Sequence, residues 1–181
     1  MAVTISGSGP ITGLTTIASP TTINGLTIPT TSFGKILQVV TGTTSTVVSI
    51  TTSTATDSGL SATITPTSIT SKILVMINQQ TSLAFAGTSG NLGAGRVQIF
   101  RDSTSIWSSG QNRWGSMGMA SSANPSKNTH AGLIYLDSPA STSALTYKTK
   151  GDTNSVEYTM SFNTIGGAAS TSQIILIEVA A

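Results

Sequence analysis

The sequence predicts an all-β protein: a two-sheet antiparallel jelly-roll sandwich with an extended N-terminal arm, associated with other copies of itself. Composition is the first observation behind this. Of 181 residues only 8% are charged and 38% are hydrophobic, against a charged share of about a quarter in ordinary domains. About a third of the chain is Ser or Thr, well above ordinary usage, and 18 residues are Gly. Thr, Val and Ile favour strands, while Gly, Ser and Asn favour turns. Spacing is the second observation. About ten short apolar runs recur at the roughly eight-to-twelve-residue rhythm of a sandwich or barrel, and no helical period persists. The third is the final run, Gln173-Ile174-Ile175-Leu176-Ile177-Glu178-Val179. A strand with one wet face alternates apolar and polar residues. Here Ile175, Ile177 and Val179 point one way, and Ile174, Leu176 and Glu178 the other. Both faces read as covered. The chain's own second sheet supplies one cover, and another copy of the chain is the simplest source of the second.

Residues 1–34 read as the arm and residues 35–181 as the sandwich domain. Within the arm, Ile11-Thr12-Gly13-Leu14-Thr15 returns as Ile23-Asn24-Gly25-Leu26-Thr27, and Pro20 and Pro29 follow the two units. Ile5-Ser6-Gly7 is a weaker echo. Isolated apolar residues in Gly-turn units bury little within one chain, so such repeats need neighbouring copies or a partner surface. Ile11, Gly13, Leu14, Ile23, Gly25, Leu26 and Ile28 are the candidate binding residues of the arm. Three readings stay open: a short shaft wound from sister arms, a strand added to a partner, or a flexible leader.

The domain's strands follow in order. Ile36-Leu37-Gln38-Val39-Val40 is closed by Thr41-Gly42, and residues 46–52 form the next strand. Leu60, Ala62 and Ile64 alternate on one face of a third. Residues 72–78 are apolar on both faces, which predicts a central strand, and the run extends toward residues 82–85. The Gly-rich stretch 87–95 reads as a loop. Residues 96–101 and 105–108 flank Asp102-Ser103-Thr104, a hairpin corner where Asp and Ser bond their own backbone. A long polar segment spans residues 109–128. Strands at 131–137, 143–149, 156–162 and the terminal run complete the set, punctuated at Gly151-Asp152-Thr153-Asn154 and Gly166-Gly167-Ala168.

Chemistry is sparse in this chain. Enzymes need convergent titratable groups. The acids are Asp57, Asp102, Asp137, Asp152, Glu157 and Glu178, and His130 is the one histidine. Asp57, Asp102 and Asp152 stand in turn contexts, Asp137 ends a strand, and Glu178 alone lies among apolar residues. Glu178 reads as a hydrogen-bonded or salt-bridged group at the subunit seam, beside the seam residues Ile175, Ile177 and Val179. No nucleophile-elbow sequence accompanies the serines. Zinc-type spacing is missing and cysteine is absent. The Gly-rich stretch 87–95 lacks the Lys-Ser/Thr ending of a phosphate loop. These patterns predict no catalytic residue, no metal and no cofactor. The segment around Arg113, Trp114 and Met117 is polar, Gly-rich and aromatic, the composition of an adaptable recognition loop for a host glycan or a neighbouring protein.

Eight basic residues and a net charge of +2 are too few and too scattered for a nucleic-acid footprint. No apolar run approaches a membrane span, and the first residues show no secretory signal. The expectation is a soluble protein made in a cytoplasm.

Several stretches resemble a recurrent bacteriophage virion domain, found among phages of cyanobacteria and labelled fibre or structural protein. They are Phe33-Gly34-Lys35-Ile36-Leu37-Gln38-Val39-Val40, Ile64-Thr65-Pro66-Thr67-Ser68, Ser71-Lys72-Ile73-Leu74-Val75, Ile99-Phe100-Arg101-Asp102-Ser103-Thr104 and Leu136-Asp137-Ser138-Pro139-Ala140. The resemblance spans residues 33–181. It implies a virion location after assembly in the host cytoplasm, and a trimeric jelly roll of the C1q and tumour-necrosis-factor type with its final strand toward the trimer centre. Such domains serve as capsid decoration proteins and as tail-fibre tips. With about 34 residues ahead of the domain, reaching roughly 110 Å when extended, the expectation is a capsid decoration (cement) protein. Its arm would bind the major capsid protein or another virion protein. A short tail-fibre or head-fibre tip that binds the host surface is the alternative.

Overall fold

The fold is seen in a computed structural model. It describes residues 22–23, 26–27, 35–85, 93–110, 114–117 and 126–180. The chain divides into two units, Met1–Phe33 and Gly34–Ala181.

In the first unit, β1 (Thr22–Ile23) pairs antiparallel with β2 (Leu26–Thr27), with Ile23 opposite Leu26. The second copy of the repeat thus turns back on itself. Ile11, Gly13, Leu14, Gly25 and Ile28 lie outside the described residues.

The second unit is all-β and antiparallel, with no helix among the described residues. Its strands are β3 (Ile36–Thr44), β4 (Val48–Ile50), β5 (Thr56–Ile64), β6 (Lys72–Phe85), β7 (Gly93–Arg101), β8 (Thr104–Ser108), β9 (Trp114–Met117), β10 (Ser126–Asp137), β11 (Leu145–Thr153), β12 (Tyr158–Phe162), β13 (Thr164–Ile165), β14 (Ala168–Ala169) and β15 (Ser172–Val179). The short β13–β14 hairpin turns through Gly166 and Gly167, both at positive φ.

Two sheets form. The first is built on β6, a strand of 14 residues. One edge of β6 is shared by β15, along residues 72–78, and by β12, along residues 81–85. Its other edge carries β10 throughout. Beyond β15 lies β3, and beyond β12 lies β4. The second sheet runs β5-β11-β7-β8, with β9 paired to β7. The doubly apolar run at 72–78 is therefore central, as its pattern implies, and it joins residues 82–85 in one strand.

Alternation decides which side chains enter the core. Ile73, Val75, Ile77, Leu83, Phe85, Ile174 and Leu176 from the β6 sheet meet Leu60, Ile64, Val97, Ile99 and Tyr147 from the β11 sheet in one buried cluster. The result is sandwich-like. Close approaches need glycine: at Gly42 a Cβ would stand 2.0 Å from the Ser61 carbonyl oxygen, and at Gly151 2.5 Å from the Phe162 ring. Gly42 therefore lies within β3 rather than ending it, because only a glycine lets β3 press onto β5 there. Likewise Gly151, Asp152 and Thr153 extend β11, where turn-favouring residues predict a break.

The layer between the sheets also holds polar groups. Gln79, Ser58, Thr149 and Asn163 are fully buried. The Gln79 amide donates to Ser58 Oγ at 3.0 Å and Asn163 Oδ1 at 2.9 Å, and its Oε1 accepts from Thr149 Oγ1 at 2.7 Å. Ser58 and Thr149 hydrogen-bond to each other. The Asn163 amide donates to the carbonyls of Thr46 and Ser58. Each donor finds an acceptor, so the cluster escapes the cost of buried unpaired polarity. At the domain's ends, Ala180 N donates to Lys35 O at 2.9 Å, where β3 begins and β15 stops.

Candidate functional site

Alternation also decides what each sheet turns outward. On the β6 sheet the registers align outward residues in rows across four strands. Val39, Ile177, Leu74 and Leu136 form one row; Thr41, Ile175, Met76 and Ile134 form the next. Val179 continues the patch past Ile177. Ile134 is 71% exposed, Val39 55% and Leu136 50%, and Ile175, Ile177 and Val179 are half-buried. Toward the other end the same face turns polar, with Gln173, Asn78, Gln80 and His130. The His130 imidazole is exposed there and hydrogen-bonds to Asn78 Oδ1. Between the two halves lies a shallow depression of about 430 Å³, lined among others by Met76, Asn78, His130, Gly132, Ile134 and Ile175.

Ile175, Ile177 and Val179, the seam residues read from the sequence, all lie on this outward face. Glu178 does not. It is fully buried on the inward face with Ile174 and Leu176. Its partners are in its own chain: Thr67 N at 2.7 Å, Thr67 Oγ1 at 2.8 Å and Gln38 Nε2 at 2.5 Å. Burial alone would raise the carboxyl pKa. Donation from Gln38, the dipole of the buried Ser71 hydroxyl and the Thr67 donors outweigh it and hold the value down to about 2. The Ser71 hydroxyl finds no well-placed hydrogen-bond partner of its own. The carboxylate thus latches the loop after β5 onto β15, and the seam reading for Glu178 is corrected to an internal joint. In a strand apolar on both sides, parity groups residues but cannot say which group faces in.

The four aspartates are structural too. Asp57, expected in a turn, lies within β5 and pairs with Lys148 at 3.2 Å and Lys150 at 3.5 Å. Asp152, expected likewise, lies in β11 and takes Arg96 at 2.6 Å. Asp137 accepts from Arg101 at 2.7 Å and from the Tyr147 hydroxyl at 2.7 Å. Burial, then the hydrogen bond to Asp137 and its charge, push the Tyr147 pKa far up. Asp102 sits at the predicted corner with φ 54° and accepts from Thr146 N at 2.9 Å. No group of three His, Cys, Asp or Glu side chains gathers as a metal site among the described residues.

Trp114 and Met117 are not on a loop. They are the end residues of β9, whose partners on β7 are Gly95 and Gly93. The Gly-rich stretch read as a loop therefore begins a strand at Gly93, because glycines still supply backbone hydrogen bonds for pairing. Arg113 lies outside the described residues. Sequence reasoning missed β9, which has no alternation to betray it. It also missed Val39, Ile134 and Leu136 as companions of the terminal strand, because their grouping depends on registers between distant segments.

No family model matches the chain, and no curated protein matches it either.

Proposed function

We propose that this chain is a structural protein of a bacteriophage virion without catalytic activity: a homotrimeric decoration protein that stabilises the head, with residues 1–34 as the arm that binds capsid subunits. One observation carries the assembly part. The outward face of the β6 sheet carries contiguous apolar rows in which Ile134, Val39 and Leu136 stand 71%, 55% and 50% exposed, and a contiguous exposed apolar patch marks an association surface.

Strand order supports the jelly-roll reading. Numbering β3, β5, β6, β7, β8, β10, β11 and β15 as one to eight, one sheet holds 1-8-3-6 and the other 2-7-4-5. With β4, β9 and β12 set aside, this interleaving is the strand pattern of two jelly-roll sheets and so favours that reading. The stretches that resemble phage virion domains fall on its joints: Thr67 on the Glu178 latch, Asp102 at the hairpin corner, and Asp137 under Arg101 and Tyr147. They support a fold of that kind and, through it, the virion setting.

Light scattering on the purified chain should give a mass near three times 18.4 kDa. Deleting residues 1–30 should leave that mass unchanged and abolish binding to expanded phage heads in a sedimentation assay. Full binding by the truncated protein would remove the arm from the reading. Binding to host cells in place of heads would make the chain a fibre tip.

A further inference from the structure

Gly132 stands mid-strand in β10, a position where glycine weakens pairing and often marks close approach by something else. The fold gives no reason for it. Its φ is not among the positive values, and a Cβ built there meets nothing within 4 Å. Gly42 and Gly151 differ: each is required by an internal contact. The missing side chain at Gly132 instead opens the depression on the outward face. Two residues along, Ile134 stands out as the most exposed residue of the apolar rows, with Leu136 beyond it. Hole and knob share one strand and one face, and a surface that carries both can complement itself. The lining of the depression holds no acid and no Lys or Arg, so it offers nothing to a charged partner. The rows around it are apolar, with Val39 55% and Leu136 50% exposed.

We propose that the depression over Gly132 is the socket that receives Ile134 of a neighbouring copy. This rests on the reading that a second copy covers the face, and it assigns the residues that interlock. Glycine leaves the socket open there, where any side chain would begin to fill it.

Two measurements on the full chain test this. Gly132→Leu puts a side chain into the socket from an open position, since a Cβ there meets nothing within 4 Å. Its circular dichroism and thermal midpoint as a single chain should match the wild type. Its self-association should weaken by about 10- to 100-fold, the usual penalty of overfilling a packed site, as read by light scattering over a dilution series. Because the chain has no cysteine, Gly132→Cys and Ile134→Cys can each be made as sole thiols. Mixed and oxidised, they should cross-link faster than either alone. If the wild type assembles, Gly132→Leu assembles equally well and the mixture shows no preferred cross-link, the socket is overturned while the covered face stands. If the wild type is a single chain even at about 100 µM, where mass action favours assembly, the covered face falls and the socket with it. Protection of Gly132 from hydrogen exchange only when phage heads are added would give the socket to a capsid subunit and overturn the inference.

Discussion

The two outward faces of this domain are built on the same alternation and carry opposite chemistry. The β6 sheet turns out Val39, Leu74, Met76, Ile134, Leu136, Ile175 and Ile177. The β11 sheet turns out Asp57 with Lys148 and Lys150, and the Lys150 ammonium lies 4.8 Å from the Phe100 ring centre. Among its described residues, a chain that is only 8% charged places the Asp57 salt bridges on one face and leaves the apolar rows of the other without any. Water solvates the first face at no cost. Leaving the second wet costs about 25 cal/mol per Å². The contrast separates a surface that ends the molecule from one that continues it.

Three changes break or sharpen that contrast. The largest effect is expected from Ile134→Asp, a charge placed on the apolar face at its most exposed position. Assembly should be lost entirely by light scattering, while folding stability of the single chain moves by no more than about 0.5 kcal/mol. A variant that keeps the wild-type mass would move the seam off this face. Glu178→Ala comes next, at about 3 kcal/mol of folding stability in a urea titration, because Thr67 N and Gln38 lose a buried charged acceptor. Its pH signature has a definite sign. The folded carboxyl titrates near 2, below the ordinary 4.5. Its contribution is therefore whole above pH 4.5 and drains away as pH falls from 4.5 toward 2. The variant should converge on wild-type stability across that window, and a constant gap would refute the latch. The smallest effect belongs to Asp57→Asn on the charged face, within about 0.5 kcal/mol, since exposed pairs contribute little. A loss above 1.5 kcal/mol there would mean that the wet face is more than a solvated surface.

How far the sequence reaches depends on whether a signal is local. Leu60, Ala62 and Ile64 announce β5 by alternation, and all three are buried. The apolar run at 72–78 announces a central strand. Asp102 announces its corner through a local turn signal, although its carboxylate accepts from the distant Thr146 N and not from its own turn. The buried cluster of Gln79, Ser58, Thr149 and Asn163 has no such signature. Its members come from four strands or their flanks, and each reads alone as a surface polar residue. Glu178 fails for the same reason: Thr67 and Gln38 lie far off in sequence. The candidate face was legible through its terminal strand and the doubly apolar run at 72–78. Ile134 and Leu136 join it through pairing registers that no single stretch encodes.

The meeting of Lys35 and Ala180 has a mechanical consequence. β3 and β15 run antiparallel, and the domain's two ends leave from the same short edge, one hydrogen bond apart. Tension applied between those ends would peel the β3–β15 ladder open one rung at a time, the mode in which a strand pair resists least. Tension entering at Lys35 and leaving through the apolar face would load the whole ladder at once. The same adjacency lets the ends be joined by a short linker and the chain reopened elsewhere, since nearby termini tolerate permutation.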